Sequence, residues 1–345
     1  MMIREACLEN LPLEFPAEDA NKDALRNWFT SFDVLLRGEE LNGEGRKPDL
    51  EAREGVLPQQ AKRAGVPTWL MRIASEEDAS NKDAKDRFAL FRPDEGTECP
   101  LWHELPRWVR SHCAGKHLLL DLTTLSGSSL FQLHRSALLA GNVRLSYAYT
   151  TPKRYPQVDK PDAIPPVITR AIKQPYGYRS FAQEHTRGGR RRHILLLGFD
   201  RHRPNKFIEH YQWPLEDVYA LLGDPAYVQG GVEQAKRSLG SVYNDLESLG
   251  HVKVINPKLL WGRNGEMSVV DALAELCRDV GSVDIVPLGP KPTLLGCIVY
   301  WHALDESRQQ QTRLLYDFPV TRQVRTTGVE RTWIYPDVVV PRSPV

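Results

Sequence analysis

The sequence is poor in cysteine: five among 345 residues (Cys7, Cys99, Cys113, Cys277, Cys297), scattered and with no CxxC pair. That spacing argues against a disulfide framework or a cysteine zinc site and points to a reducing, cytoplasmic setting. No apolar run approaches the ~18–20 residues of a membrane span. Residues 1–15 alternate charge and apolarity, unlike a secretory leader, so no membrane partner is expected. HExxH and HxH are absent and no histidines pair with cysteines at ligand spacing, so no metal site and no resident cofactor are expected. The phosphate-loop pattern GxxxxGK[ST], the dinucleotide pattern GxGxxG and the serine elbow GxSxG are missing too. Net charge is nearly missing, at +1 from 45 Lys plus Arg and 44 Asp plus Glu. What remains is globular: 41% hydrophobic and 26% charged residues exclude whole-chain disorder.

The balanced charge hides an asymmetry. Residues 1–112 carry 16 basic and 22 acidic side chains, whereas residues 113–345 carry 29 and 22. The pattern changes at the same place, which predicts an acidic, irregular, α-rich N-terminal region (1–112) and an α/β domain (113–345). In the first, apolar spacing predicts a helix over 24–37, a Gly-rich loop over 41–54 and a strand or short helix over 66–73. In the second, apolar runs predict strands over 117–122, 143–150, 193–199, 218–222, 252–255, 283–287, 313–316 and 332–335. Helices fall between them, over 128–140, 205–211, 230–249, 268–280 and 293–303. Such interleaving predicts a mostly parallel, doubly wound Rossmann-like sheet covered on both faces. The βα units are too few and too irregular for an eight-fold barrel.

Open α/β sheets bind ligands beyond the carboxyl ends of their strands, so the residues just after each strand are the candidates. In chain order these are Asp121, Thr123, Thr124, Ser126 and Gly127; Gly198, Asp200 and Arg201; Asp224; Asn256; Gly289, Lys291 and Thr293; and Asp317. Turn chemistry alone also places Gly, Pro, Asp and Ser there. The most informative turn is PLGPKPTLLG (Pro287 to Gly296), where a strand ends in Gly-Pro-Lys and feeds a helix. Backbone N–H groups at a helix start attract anions, and Lys291 adds a full charge. The plainer reading is that Pro292 simply starts the helix. The run LLLDLTTLSGSS (Leu118 to Ser129) sets hydroxyls at another helix start, as phosphate or ribose contacts or merely as caps. RGGRRRH (Arg187 to His193) reads as a solvated entry loop or a phosphate patch. Nucleic acid is the weaker partner, since the domain is only mildly basic and shows no RNP or helix-turn-helix pattern.

The pairing of an early Ser/Thr-rich turn with a late strand–GPK–helix turn looks like the CARF-type Rossmann sensor domains of CRISPR-associated and related anti-phage proteins. Their late turn is Gly-Gly-Thr-Lys-like; here it would be Gly289, Pro290, Lys291 and Thr293, with Thr123, Thr124, Ser126 and Gly127 as the early turn. The resemblance covers at most residues 113–320. It implies an oligomeric, nucleotide-binding sensor in antiviral defence.

The expected function is therefore binding of a nucleotide or other phosphate-bearing ligand. Gly289 and Lys291 would hold phosphate, and Thr123, Thr124 and Ser126 ribose or phosphate. Asp200, Asp224 and Asn256 would recognise sugar or base. The N-terminal region would pack on the domain or engage a protein partner. An alternative is a nucleoside- or nucleotide-processing hydrolase or glycosyl-transfer enzyme that uses strand-end aspartates (Asp121, Asp200, Asp224, Asp317), since paired carboxylates suit acid–base work. Another is a non-catalytic subunit whose tryptophans (Trp28, Trp69, Trp102, Trp108) form interfaces.

Overall fold

The structure, a computed structural model, describes residues 13–16, 27–38, 49–73, 88–92, 96–98, 104–153, 176–177, 191–200, 202–316 and 328–338. Its strands in chain order are β1 (Leu13–Pro16), β2 (Val34–Gly38), β3 (Thr68–Ile73), β4 (Phe88–Arg92), β5 (Gly96–Glu98), β6 (His117–Asp121) and β7 (Arg144–Thr151). They continue with β8 (Tyr176–Gly177), β9 (Arg191–Leu196), β10 (Val218–Gly223), β11 (Val252–Ile255), β12 (Ser282–Pro287), β13 (Thr312–Tyr316) and β14 (Arg331–Tyr335). The helices used below are α1 (Asp49–Ala64), α2 (Leu105–Cys113), α3 (Gly127–Ala140), α4 (His202–Tyr211), α5 (Gly231–Leu239), α6 (Ser241–Ser248), α7 (Val269–Leu276), α8 (Lys291–Ala303) and α9 (Glu306–Gln311).

These elements form two α/β units. In the first, eight strands lie in the order β1-β14-β7-β6-β2-β3-β4-β5. The central four, β7-β6-β2-β3, pair in parallel, and the flanking strands are antiparallel. All five residues of β6 are buried, as a strand covered on both faces requires. Leu119 faces a cluster with Leu57 and Ala61 of α1, along with Phe29 and Leu35. Residues alternate faces, so Leu118 and Leu120 bury on the other side, where α3 lies against β7 and α2 packs on α3.

In the second unit the order is β11-β10-β9-β12-β13-β8, and every pair except β13–β8 is parallel. Numbered along the chain, its five parallel strands run 3-2-1-4-5, the Rossmann order, with the switch point between β9 and β12. Leu195 and Leu197 bury with Phe207 of α4, Leu239 of α5 and Leu246 of α6. Ile194, Leu196 and Ile285 bury on the opposite face, where α8 packs on β12 and on α7. The unit is doubly wound.

Four expectations change. The boundary at 112 runs through the first sheet, because β2 and β3, from the region read as α-rich, join β6 and β7 there. The true division lies near 153 and 327, so the six-stranded unit is inserted between β7 and β14. Of the helix expected over 24–37, residues 27–29 are helical and 24–26 lie outside the described residues, but Val34–Gly38 form β2 instead; residues 49–54, expected in a loop, belong to α1. In VLLR the apolar run serves a central parallel strand buried on both faces, and its chance helical spacing with Trp28 and Phe32 misleads. The helix expected over 230–249 breaks at Gly240, whose φ of 62° and ψ of −133° no other residue type adopts readily.

Candidate functional site

The insertion separates the two turns that sequence placed in one domain. The Thr123–Gly127 turn follows β6 in the eight-stranded unit, whereas the Gly289–Thr293 turn follows β12 in the six-stranded one.

The first turn is closed on itself. Asp121 ends β6, at the switch point between β6 and β2. Its carboxylate accepts the Thr123 N–H at 2.8 Å and the Thr124 hydroxyl at 2.9 Å. Thr124 Oγ1 in turn accepts the Gly38 N–H at 3.0 Å, and a Cβ on Gly38 would lie 2.6 Å from the Thr124 carbonyl oxygen. Thr123 Oγ1 accepts the Thr150 N–H at 2.9 Å. Ser126 caps α3 by accepting the Ser129 N–H at 3.1 Å, and Gly127 is the buried first residue of that helix. Burial pushes the Asp121 carboxyl above its usual range, against the opposing charge of Arg37 and the two threonine bonds. These residues staple β2, β6 and β7 together.

The six-stranded unit is built differently. Its register sets Leu221, Leu196 and Pro287 in one row across β10, β9 and β12. Two residues further on, each of the three strands reaches a glycine: Gly223, Gly198 and Gly289. All three are crowded. A Cβ on Gly198 would lie 2.1 Å from the Leu288 carbonyl oxygen, on Gly289 2.7 Å from Thr293 Oγ1, and on Gly223 3.0 Å from a Pro257 ring carbon. A side chain is thus excluded by backbone at Gly198, would have to displace the Thr293 hydroxyl at Gly289, and would press on the Pro257 ring at Gly223. The Gly289 N–H donates to no group among the described residues.

Beyond Gly289, Pro290 is the extended cap residue of α8 and Lys291 its first residue, half-buried, with Pro292 next. The cap offers no side-chain hydrogen bond, so the positive end of a thirteen-residue helix is not screened by its own cap. Thr293 is buried and turned inward. Its hydroxyl donates to the Pro290 carbonyl oxygen at 2.7 Å and its N–H to the same oxygen at 2.9 Å, so it shapes the turn. After β9, Asp200 is buried and so is Arg203 on α4. Asn256 is committed: its Nδ2 donates to Glu266 Oε2 at 3.2 Å and its Oδ1 accepts the Lys258 N–H at 3.0 Å. Asp224, just past β10, is exposed. Arg201 and Asp317 lie outside the described residues.

Of the candidate aspartates, Asp121 belongs to the eight-stranded unit, and Asp200 and Asp224 to the six-stranded one. Among the described residues no group of three or more His, Cys, Asp or Glu side chains could hold a metal ion. Trp69 and Trp108 are buried in edge-to-face contact, centroids 5.8 Å apart, so they are core residues of the first unit. Trp102 lies outside the described residues.

Two polar clusters escaped the sequence reading. Asp284, fully buried in β12, meets basic side chains from both neighbouring strands, β9 and β13. Its Oδ2 lies 3.0 Å from His193 Nδ1, Arg313 donates to both its oxygens at 2.5 and 2.7 Å, and Arg191 stands 3.7 Å away. His193 stacks on Trp213, centroids 4.2 Å apart. Burial pushes the Asp284 carboxyl up, but the His193 and Arg313 hydrogen bonds and the arginine charges outweigh it and hold the group below its usual value. Arg192 lies 4.6 Å from the Tyr219 ring centre and donates to the Leu276 carbonyl oxygen. Arg191, Arg192 and His193 are therefore the opening of β9, at the amino ends of the strands; residues 187–190 lie outside the described residues. The signal was an acid in the apolar run VDIVP opposite a basic run, legible only once the strands are paired. The second cluster ties His117 to Ser146 (2.8 Å) and to Asp337 (3.4 Å), which Arg144 grips with two bonds.

Compared with known proteins, the chain matches no protein-family profile, no curated protein and no solved structure. What the molecule establishes is its class: an α/β protein with a Rossmann-like six-stranded unit. No helix among the described residues is long and apolar enough to cross a membrane.

Proposed function

We propose that the carboxyl edge of the six-stranded sheet binds a nucleotide-like, phosphate-bearing ligand, and that the protein works as a ligand-binding, sensor-like component. The observation that carries this reading is the glycine row at the Rossmann switch point. Gly198, Gly223 and Gly289 bare the backbone beside the uncapped start of α8, where Lys291 adds its charge. A phosphate there would accept the Gly289 N–H and face the positive end of α8. Pro290 and Pro292 lack N–H groups, so the cradle has fewer donors than a phosphate loop and leans on the lysine. The CARF-type resemblance would place such a protein in the cytoplasm, in anti-phage defence. With Thr123, Thr124 and Ser126 on the other unit, their part in this site has no support, and no observation favours the glycosyl-transfer alternative.

The test is a thermal-shift screen against mono-, di- and cyclic nucleotides, run beside Lys291→Ala. A ligand at about 100 times its dissociation constant stabilises by ~2.7 kcal/mol. The reading expects such a shift with at least one nucleotide, lost in Lys291→Ala. No shift with any of them overturns it.

A further inference from the structure

The six-stranded unit carries a second feature on the same edge. In dinucleotide-binding sheets of this strand order, an acid past the second strand, about 20 residues after the first βα turn, takes a ribose hydroxyl. Here the second strand is β10, and the residue following its terminal Gly223 is Asp224. Its N–H is fixed by the Ile255 carbonyl oxygen at 2.8 Å, which holds the residue at the mouth of the β10–β11 pair. Its carboxylate is exposed and takes no hydrogen bond or ion pair among the described residues. The other polar groups of the edge are differently employed: Asp200 is buried, and Asn256 is saturated by Glu266 and Lys258. Asp224 is thus the exposed acceptor on this side of the switch point.

Its distance from the phosphate turn fits. β9 separates β10 from β12, and two strand spacings amount to about 10 Å. That is the reach of a nucleoside diphosphate from its ribose hydroxyls to its outer phosphate.

We propose that Asp224 accepts hydrogen bonds from the 2′- and 3′-hydroxyls of a ribose, so that the ligand class is a ribonucleoside phosphate with a free diol. A 2′-deoxyribonucleotide, a 2′-phosphorylated nucleotide and a bare phosphate are discriminated against. This rests on the phosphate reading of the same edge. A carboxylate that accepts two adjacent hydroxyls rejects a 2′-phosphate by repulsion and loses one charge-assisted bond to a deoxyribose, a factor of roughly ten or more in affinity.

The experiment titrates the full chain with each of the four ribonucleoside diphosphates, their 2′-deoxy counterparts and inorganic pyrophosphate, by calorimetry, using wild type, Asp224→Asn and Lys291→Ala. The expected result is that the best ribonucleotide binds wild type about tenfold or more tighter than its 2′-deoxy form. In Asp224→Asn the two bind alike, while pyrophosphate affinity is unchanged; in Lys291→Ala all affinities fall. Asp224 is exposed and its side chain unpaired, so the variant is not expected to unfold, and circular dichroism checks that. Equal binding of ribo and deoxy forms to wild type, with pyrophosphate still lost in Lys291→Ala, overturns the diol inference and leaves the phosphate site standing. Absence of binding by every probe, pyrophosphate included, overturns both.

Discussion

His134 sits on the buried side of α3 with its Nδ1 2.5 Å from the Tyr147 hydroxyl. Burial holds its imidazole neutral and drags its pKa from 6.5 to about 3. The sign of the consequence follows from proton counting. Between pH 6.5 and about 3 the unfolded chain carries a proton on this side chain and the folded chain does not, so stability rises with pH through that window. The contribution is complete above 6.5 and is lost as pH falls toward the folded value. His134→Gln keeps a hydrogen-bonding group for Tyr147 and removes the titration. Urea midpoints measured from pH 7 down to 4 are expected to fall less steeply in the variant, by up to one proton's worth of slope. Identical slopes would show that His134 is not buried neutral. Such environments are invisible in sequence. A histidine in an apolar run is noticed, but its protonation state depends on which strand lies beneath, and the same is true of Asp284, whose partners come from β9 and β13.

At the scale of elements, the chain reveals its strands and hides its breaks. HLLLD, RRHILL, VYALLG and SVDIVP each become a buried parallel strand, because only a strand covered on both faces uses so short and so continuous an apolar run. The loops that follow were legible for the same reason: once the strands are placed, the switch-point rule picks out Gly198, Asp224 and Gly289. The strand order was not legible, since neighbours in the sheet are set by contacts far apart in sequence, and so Thr123 and Lys291 were read into one domain. Gly240 gives an element-scale test. Its N–H closes α5 on the Arg237 carbonyl oxygen, and α6 begins at the next residue. An added Cβ meets no atom within 4 Å, so the cost of Gly240→Ala is conformational alone. It is expected to destabilise by ~1–3 kcal/mol in urea denaturation, with unchanged helical ellipticity. A gain in stability and helicity would mean that α5 and α6 can run as the single helix their periodicity suggests.

The whole molecule is one α/β unit inserted into another. β14 returns after residue 327 to pair antiparallel with β7, so the first sheet is finished only after the second has been completed. This is why a charge and pattern change near 112 misplaced the boundary: composition averages along the chain, whereas the division follows which strands share a sheet. Each unit has its own apolar core, one around Leu35, Leu57 and Leu119, the other around Leu195, Phe207 and Leu246. Units with separate cores need not unfold as one. Scanning calorimetry is expected to show two transitions rather than one. Because the phosphate turn and Asp224 both belong to the inserted unit, a ribonucleotide at about 100 times its dissociation constant should raise the midpoint of one transition and leave the other in place. Hydrogen exchange assigns that transition: protection on binding should rise in peptides spanning 191–200, 218–231 and 282–303, and stay unchanged across 117–151. A single transition, shifted as a whole by ligand, would mean that the two cores are energetically coupled, and the eight-stranded unit would then sense occupancy of the site in its neighbour.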